Sequence, residues 1–395
     1  WTGARALSTR GGMAAGVRQA ARAGSCRRRP CRGARASAGS GPAPAGPSAG
    51  RRAALLLPPG LLLAGSASPS LASPAPASVA GKRVVITGCN SGIGLDGATK
   101  LAAAGARVTM ACRTLVKAEA ARQEVLAAAP GADVTAAACD LADLSSVRAF
   151  AASVEGPVDV LVLNAGLQYS GDKTVRRTAD GFELVVGTNH LGHFLLANLL
   201  LPRLEAAGGR PRVVVTASEV HAPASPGGAV GNGATLGSLR GLEEGGRGFV
   251  MVDGGEYDAD KAYKDSKLCN VLFAMELERR LEAAGSRVTV NSFGPGLITR
   301  TGFFRYQNPL FVGLFDFAAN DIFRVAETVS GGGDCLVYMA ADPSLEGVGG
   351  RYYNNGLSGF GGHAFSDTAP SEEARDEEEA RKLWALSASL VGLDA

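Results

Sequence analysis

The amino-acid sequence predicts an α/β fold in which helices cover both faces of a doubly wound parallel sheet. Three observations support this prediction. Short runs rich in β-branched residues alternate with longer Ala/Leu-rich stretches over most of residues 81–395. The strand-like runs are apolar throughout, which is typical of parallel strands that are buried on two faces. A glycine-rich segment lies between the first strand-like run and the first helical stretch.

The predicted elements follow one another in a regular order. Runs of Val, Ile, Thr and Ala predict strands at residues 84–87, 107–111, 134–138, 158–163, 212–216 and 287–293. Longer stretches with Leu and Ala at helical spacing predict helices at residues 92–104, 115–128, 145–154, 182–204, 259–284, about 322–340 and about 371–390. The last helix includes an acidic run from Glu372 to Glu379, which we predict to be a solvated face.

The alternation breaks at residues 221–256. This segment has 36 residues, 11 of them glycine, and no sustained periodicity. It is long for a loop within a compact domain. Its apolar residues are sparse, namely Leu236, Leu239, Leu242, Phe249, Val250 and Met251. We therefore predict a single domain over residues 81–395 with a functional insertion or a lid at residues 221–256.

Charge is distributed unevenly along the chain. Residues 1–80 hold 11 arginines and neither lysine nor acid, whereas residues 81–395 hold 29 basic and 37 acidic side chains. The net charge of +3 thus combines a basic leader with an acidic body of net charge −8. Nucleic-acid binding is not expected, because it needs a positive excess on the folded domain itself.

Residues 1–80 have the composition of a targeting leader. They are dominated by Ala, Gly, Ser, Pro and Arg, as in an organelle transit peptide. Arg51-Arg52 and the apolar run that follows them also resemble a twin-arginine signal, so a plain and a bipartite leader both stay open. That apolar run has 12 residues and contains Pro58-Pro59, whereas a membrane span needs about 20. Beyond the leader, five scattered cysteines predict neither a disulfide framework nor a metal site.

A glycine-rich segment follows the first predicted strand and opens the first predicted helix. Glycines let the backbone approach a pyrophosphate closely, and the N-terminus of a helix favours an anion. We therefore predict cofactor contacts from Thr87, Gly88, Ser91, Gly92, Ile93 and Gly94. Without its position, such a segment could also be a simple tight turn.

Basic residues follow the second predicted strand. An NAD-selective fold usually places an acid there, but this chain has Arg113 and, one turn later, Lys117. Cations at this point favour NADPH, because they can pair with its 2′-phosphate. The other interpretation is that both are solvated surface charges.

Polar and small residues follow the third and fourth predicted strands. They are Asp140, Asn164, Ala165 and Gly166. Ligands of open α/β sheets bind at the carboxyl ends of the strands, so we predict that these residues contact the cofactor. Taken singly, Asp or Asn at such a position is usually a cap.

Tyr263 and Lys267 lie four residues apart at the start of a predicted helix, and therefore on one face. A nearby ammonium is expected to lower the pKa of the phenol and to relay a proton, which makes Tyr263 a candidate general acid. This spacing is common by chance. Together with the glycine-rich segment, Asn189 and Ser218, it is no longer plausible as chance.

These residues together resemble the short-chain dehydrogenase/reductase family over essentially all of residues 82–395. The resemblance implies a Rossmann-type fold and a catalytic tetrad of Tyr263, Lys267, Ser218 and Asn189. It further implies that Tyr263, Lys267, Pro295 and Gly296 contact the cofactor.

Several strings resemble one branch of that family, the light-dependent protochlorophyllide reductases. They are residues 180–184, 187–196, 236–242, 261–270 and 379–384. The wide separation of Ser218 from Tyr263 agrees with this branch. The resemblance implies light-driven reduction of the C17–C18 double bond of protochlorophyllide by NADPH, in chlorophyll biosynthesis for photosynthesis in the plastid. Residues 221–256 would then form a loop that faces the pigment and a membrane surface.

One segment departs from that branch. Where those reductases carry Tyr-Pro-Gly-Cys, this chain has Gly294-Pro295-Gly296-Leu297, and a leucine can neither donate a proton nor act as a thiol. Three hypotheses stay open: a light-driven protochlorophyllide reductase, a dark NADPH-dependent carbonyl reductase of the retinol-dehydrogenase type with an apolar substrate, and a non-catalytic pigment-binding protein. The intact tetrad argues against the third. Thylakoid association, a homo-oligomer and a stromal or lumenal location are further expectations.

Overall fold

The computed structural model describes residues 79–299, 326–358 and 362–394, together with residues 316 and 319. The predicted leader, including Arg51 and Arg52, lies outside the described residues except for its last two positions. The first part of the helix predicted at about 322–340 also lies outside them.

A single sheet of eight strands organises the described residues, and their order is β3-β2-β1-β4-β5-β6-β7-β8. The strands are β1 Arg83–Thr87, β2 Arg107–Cys112, β3 Val134–Ala138, β4 Val160–Leu163, β5 Arg212–Thr216, β6 Thr289–Gly294, β7 Tyr352–Leu357 and β8 His363–Asp367. Strands β1 to β7 are parallel to their neighbours, and β8 pairs antiparallel with β7. The predicted α/β class with a doubly wound parallel sheet is confirmed.

The helices connect these strands and cover both faces of the sheet. They are α1 Gly92–Ala103, α2 Leu115–Ala128, α3 Leu144–Ser153, α4 Leu184–Val186, α5 Gly192–Glu205, α6 Arg240–Gly245, α7 Ala259–Ala283, α8 Val329–Ala341 and α9 Glu377–Val391. Polar N-caps fix where several of them begin, and the carboxylate of Asp258, for example, accepts hydrogen bonds from the first backbone N–H groups of α7.

Polar caps also decide where two helices begin inside their predicted ranges. Helix α8 begins only at Val329, because Thr328 is extended and its hydroxyl caps the N–H of Gly331 at 2.9 Å. Helix α9 begins only at Glu377, because Asp376 accepts hydrogen bonds from the two N–H groups that follow Glu377. A short side-chain acceptor competes with continued helix on its N-terminal side.

The segment from Leu184 to Glu205 is helical throughout but changes its winding. A π-helical turn at Gly187–Leu191 separates α4 from α5. By length and composition this segment could cross a membrane, but 78% of its apolar window is buried inside the protein. The fold therefore uses it as a core helix.

Strands β7 and β8 are missing from the sequence prediction. Their sequences, Tyr-Tyr-Asn-Asn-Gly-Leu and His-Ala-Phe-Ser-Asp, are rich in residues that are depleted from strands. The parallel edge of β6 supplies the partner of β7, since Ser292 pairs with Tyr352 and Gly294 with Asn354, and β7 in turn supplies the partner of β8. Pairing in the tertiary structure thus overrides local propensity.

The insertion at residues 221–256 contributes to the core. Leu236, Leu239, Leu242 and Phe249 are at most 2% exposed and pack in the hydrophobic layer that also holds α5, α7 and α9. Met251 is buried as well. The expectation that these apolar residues face a membrane surface is therefore wrong, because the protein's own helices already cover them.

The acidic run before and within α9 is only partly a solvated face. Most of its carboxylates are exposed, but Glu373 Oε1 accepts hydrogen bonds from Leu236 N at 2.6 Å and from Thr235 Oγ1 at 3.1 Å. This side chain therefore anchors the insertion to the C-terminal segment.

We expect Leu236→Ala to lower the free energy of unfolding by about 2–5 kcal/mol, because it empties a fully buried position. Val230→Ala is the matched control from the same insertion. Val230 is 71% exposed, so its change should stay within about 0.5 kcal/mol. Urea unfolding followed by circular dichroism measures both, and an equally small effect of both substitutions would contradict the core role of Leu236.

Candidate active site

Thr87 joins the carboxyl ends of β1 and β4. Its buried Oγ1 accepts hydrogen bonds from Asn164 N at 2.9 Å and Ala165 N at 3.0 Å, and lies 2.9 Å from His193 Nε2. Asn164 Nδ2 in turn donates to Thr87 O at 3.0 Å. These bonds fix the relative position of the two strand ends where the sequence predicts a cofactor.

The glycine-rich turn after β1 leaves a cradle that side chains would fill. Gly88 has φ +67, and a Cβ there would lie 2.6 Å from Ala165 Cα. A Cβ on Gly94 would lie 2.5 Å from Asn164 Nδ2. Backbone N–H groups at the start of α1 face the space above, where an anion is favoured. The cradle fits the pyrophosphate of a dinucleotide.

One open cavity of about 1600 Å³ collects most of the predicted site residues. It is lined by Gly88, Ser91, Gly92, Ile93, Gly94, Arg113, Lys117, Asp140, Asn164, Ala165, Gly166, Ser218, Tyr263, Lys267, Pro295 and Gly296. Thr87 and Asn189 are the two predicted residues outside this lining. Each accepts a hydrogen bond from the backbone of a residue that lines the cavity, Asn164 for Thr87 and Leu167 for Asn189. Pockets for one small molecule usually measure about 300–1,000 Å³, so this cavity has room for two ligands.

The cofactor end of the cavity offers both donors and acceptors. Arg113 and Lys117 are exposed where β2 ends and α2 begins. Asp140 Oδ1 accepts a hydrogen bond from Ala142 N at 3.0 Å. Asn164 Oδ1 is buried and has no hydrogen-bond partner within the described ranges, so a bound group can satisfy it.

Tyr263 and Lys267 lie on one face of α7, as predicted. Lys267 Nζ is 5.6 Å from the centroid of the Tyr263 ring and donates to Thr216 O at 3.0 Å. Burial raises the pKa of the Tyr263 phenol, and a hydrogen bond with Ser218 lowers it by less. Burial also lowers the pKa of Lys267 to about 8. The expected lowering of the phenol pKa is therefore wrong, because loss of hydration outweighs the hydrogen bond with Ser218.

Asn189 lies in the π-helical turn between α4 and α5. Its Oδ1 accepts a hydrogen bond from Leu167 N at 2.9 Å, and its Nδ2 donates to Leu167 O and Ser266 Oγ, each at 3.0 Å. A Cβ on Gly166 would come within 3.7 Å of both Asn189 Oδ1 and Lys267 Nζ. Asn189 thus ties the segment after β4 to α7, and π-helical turns are frequent at functional sites.

The first part of the insertion forms a wall of the cavity. Lys264 is only 6% exposed, and its Nζ donates to Gly228 O at 3.0 Å, to Asn232 O at 2.9 Å and to Val230 O. One ammonium on the helix of Tyr263 therefore gathers three carbonyl groups of the loop. Charge-assisted hydrogen bonds of this kind are roughly twice as strong as neutral ones.

Sequence reasoning missed several residues that line the same cavity. They come from five separate parts of the chain and include Gln168, Tyr169, Thr188, Glu219, Val220, Ser225, Lys264, Asn354, Asn355 and His363. For Lys264 the signal was present, because it lies within the string 261–270. Asn354, Asn355 and His363 lie in or at the edge of β7 and β8, which could not be recognised as strands.

His190 and His193 take structural positions. His190 Nε2 lies 2.9 Å from Ser387 Oγ, and His193 contacts Thr87. Burial lowers their pKa values to about 3 and about 4, so both rings are neutral at physiological pH. Within the described ranges, no cluster of three or more His, Cys, Asp or Glu side chains could hold a metal ion.

Two features together define one class of protein. The first is a parallel sheet with a glycine-rich turn after β1, and the second is a cavity that joins this turn to a Tyr and a Lys four residues apart. They define an oxidoreductase that uses a nicotinamide dinucleotide. Tyr263 contributes a phenol hydroxyl to the lining of the same cavity.

Comparisons with known proteins agree with this class. A sequence model of the short chain dehydrogenase family matches residues 82–232. The chain is 42% identical over 320 residues to chloroplastic protochlorophyllide reductase of Daucus carota, which covers 78% of each chain. It is 38% identical over 349 residues to the protein of the same name from Chlamydomonas reinhardtii, covering 87% of this chain and 86% of that one.

Solved structures share the fold. An uncharacterized protein from Mycobacterium Paratuberculosis is 33% identical, with a TM-score of 0.59 over 81% of this chain and 97% of its own. Levodione reductase, at 22% identity, has a TM-score of 0.52 over 70% of this chain and 97% of its own.

The chain therefore belongs to the short-chain dehydrogenase/reductase family and, within it, to the protochlorophyllide reductases.

We expect Lys264→Met to loosen residues 227–232 while leaving the cofactor edge intact, because the substitution keeps the apolar stem and removes three hydrogen bonds. Hydrogen exchange of this segment should accelerate at least tenfold, equivalent to about 1.4 kcal/mol. The dissociation constant of the dinucleotide should change less than about twofold, well below one tenfold step.

Lys382→Met is the matched control for Lys264→Met. Lys382 also donates to a carbonyl of the insertion, Ser238 O at 2.8 Å, but its side chain is 36% exposed and lies outside the lining of the cavity. Exchange of residues 227–232 should stay unchanged in this variant. Equal protection of the loop in the Lys264→Met variant and the wild type would contradict the role of Lys264.

Proposed function

We propose that this protein uses NADPH to reduce the C17–C18 double bond of protochlorophyllide after the bound pigment absorbs light. The observation that carries the proposal is the identity of about 40% to proteins named protochlorophyllide reductase, over 78% or more of this chain. The size of the cavity supports it, because a dinucleotide and a large flat pigment must lie side by side for hydride transfer.

The cofactor would lie along the carboxyl ends of β1, β2 and β4. The glycine cradle suits its pyrophosphate, and Arg113 and Lys117 suit a 2′-phosphate. When bound, NADPH supplies the hydride. The pigment would occupy the other end, beside Leu297 and the loop that Lys264 holds.

The proton would come from Tyr263. Burial keeps the pKa of its phenol above the usual range, so the hydroxyl retains a proton at neutral pH until a strong base forms on the substrate. Lys267, with a pKa of about 8, is mostly charged at pH 7 and lies beside the ring. Its ammonium favours the phenolate that proton transfer leaves behind. Ser218 and Asn189 would position the phenol and α7.

The insertion and the closed hydrophobic layer behind it would exclude water from the reacting atoms. Leu297 contributes an apolar surface where the related reductases carry a cysteine. The proposal therefore assigns proton donation to Tyr263 without a thiol. The same substitution favours the second candidate, a dark NADPH-dependent carbonyl reductase of the retinol-dehydrogenase type, in which Tyr263 protonates a carbonyl oxygen of an apolar substrate.

The proposal places the protein in the plastid. Relatives are named chloroplastic, and residues 1–80 have the composition of a transit peptide. The stroma or the thylakoid surface is the proposed site of action, with the lumen as the outcome if Arg51-Arg52 acts as a signal. Import into isolated plastids of a variant with Arg51→Lys and Arg52→Lys separates these locations. Peripheral membrane association and a homo-oligomer stay proposals, to be tested by vesicle flotation and light scattering.

A flash experiment tests the activity. Purified protein with NADPH and protochlorophyllide should show a red shift of the pigment absorbance after one flash and none in the dark. Tyr263→Phe should lower turnover by at least about 100-fold, the usual size of a general-acid contribution. Tyr338→Phe is the control, because its hydroxyl contacts Ser344 outside the lining of the cavity. No shift with pigment demonstrably bound would refute the light reaction, and dark reduction of retinal-like aldehydes would support the second candidate.

We expect Arg113→Ala and Lys117→Ala each to raise the dissociation constant of NADPH about tenfold or more, because each removes a charge-assisted contact to the 2′-phosphate. The affinity for NADH, which lacks this group, should change little. Arg122→Ala is the control on the same helix, since Arg122 pairs with Glu119 at 2.6 Å. Isothermal titration calorimetry measures all three variants. An equal loss for both cofactors would contradict the assignment.

A further inference from the structure

Two buried thiols meet beneath the cofactor cradle. Cys89 Sγ and Cys112 Sγ are 3.8 Å apart, and the side chains are at most 1% exposed. Cys89 lies in the glycine-rich turn after β1, and Cys112 is the last residue of β2, directly before Arg113. Because Thr87 pairs with Ala111 in the parallel ladder, the two cysteines follow neighbouring strand ends.

The surroundings make the two thiols chemically unequal. The contact with Cys89 Sγ and the charge of Lys117 lower the pKa of Cys112. Burial raises the pKa of Cys89, whose Sγ also donates to Ile86 O at 3.2 Å. Cys112 lies directly before Arg113 and near the charge of Lys117, which favour its thiolate, and Cys89 Sγ, 3.8 Å away, is positioned to react with it in a second step.

We propose that Cys89 and Cys112 form a reversible disulfide site that controls access of the dinucleotide to its cradle. This inference goes beyond the proposed reduction of the pigment and does not depend on the identity of the substrate. The oxidant is a disulfide, either of low molecular weight, such as oxidised glutathione, or of a dithiol protein.

The exchange takes place in two balanced steps. The Cys112 thiolate attacks one sulfur of the oxidant, forms a mixed disulfide and releases one thiolate. Deprotonated Cys89 then attacks Cys112 Sγ, which forms the intramolecular disulfide and releases the second thiolate. Two electrons pass from the cysteines to the oxidant, and the two protons of the cysteine thiols end on the two released thiols.

A disulfide would deform the cradle. Its sulfur atoms lie about 2.05 Å apart, so the two Sγ atoms must approach from their present separation of 3.8 Å. The turn has little room to follow, because a Cβ on Gly88 would already lie 2.6 Å from Ala165 Cα. The shift would therefore displace the pyrophosphate cradle, Arg113 or both.

The effect must be reciprocal. If the disulfide lowers the affinity for the dinucleotide, then a bound dinucleotide disfavours the disulfide by the same factor. A bound dinucleotide also slows the reaction, because the buried sulfurs become accessible only when the glycine-rich turn opens.

The experiment uses the full-length chain, reduced and then incubated with oxidised glutathione in the presence or absence of NADPH. After alkylation and non-reducing digestion, mass spectrometry should find a peptide that links Cys89 to Cys112, formed at least tenfold more slowly with NADPH. The dissociation constant of NADPH should rise at least tenfold in the oxidised protein and return to its starting value with dithiothreitol. Unoxidised protein carried through the same steps is the reference.

Variants separate this pair from the other thiols. Cys89→Ala should abolish the linked peptide and the effect of oxidation on NADPH affinity, whereas Cys269→Ala, at an equally buried position in α7, should preserve both. Circular dichroism checks that each variant is folded, and the wild-type peptide map decides the question even where a variant is not. No Cys89–Cys112 link, a link from Cys112 to Cys139 instead, or a link that leaves the NADPH affinity unchanged would overturn the proposal.

Discussion

A buried ion pair on α7 is the interaction on which the shape of the site depends. Lys261 Nζ lies 2.6 Å from Asp265 Oδ2 and 3.0 Å from Asp253 Oδ2, and it donates to Thr235 O at 2.8 Å. Asp265 is fully buried and also accepts a hydrogen bond from Thr235 N at 3.1 Å. Because removing one partner would leave an uncompensated buried charge, this arrangement commits residues 235–253 to one position on the helix.

The same helix carries the proposed catalytic side chains. Along α7, Tyr263 lies between Lys261 and Asp265, and Lys267 follows Asp265. Lys264 binds the carbonyl groups of the loop that forms one wall of the cavity. The proposed catalytic side chains and one wall of the cavity therefore share one rigid element, which limits how far they can move relative to each other. The opposite end of the cavity has its own fixed point at Thr87, where β1 and β4 are joined. Two strongly bonded points thus set the distance between the glycine-rich turn and α7 across the cavity.

Much of the fold was predictable because the signals are local. Helix α2 and strands β3 and β5 match their predicted bounds, since apolar periodicity and β-branched runs act within a few residues. The cofactor edge was predictable as well, because glycine spacing after a strand reflects a backbone requirement at Gly88 and Gly94. Strands β7 and β8 were not predictable, because β7 exists through pairing with β6, and β8 through pairing with β7, rather than through their own propensity. The expectation that the apolar residues of the insertion face a membrane surface was wrong for a related reason. Sparse leucines in a glycine-rich segment do not indicate which other part of the protein will cover them.

The sequence by itself determined the class of fold, the glycine-rich turn after β1 and the placement of Tyr263 and Lys267 on one helical face. Each of these follows from residue spacing, which the geometry of a helix or of a strand end converts directly into position. Only the tertiary structure decided that Leu236 and Leu239 belong to the core and that Lys264 holds the wall of the cavity. It also decided that burial, rather than Lys267, sets the direction of the pKa shift of the Tyr263 phenol. These outcomes depend on desolvation and on contacts between distant segments, and neither is encoded in the spacing of neighbouring residues.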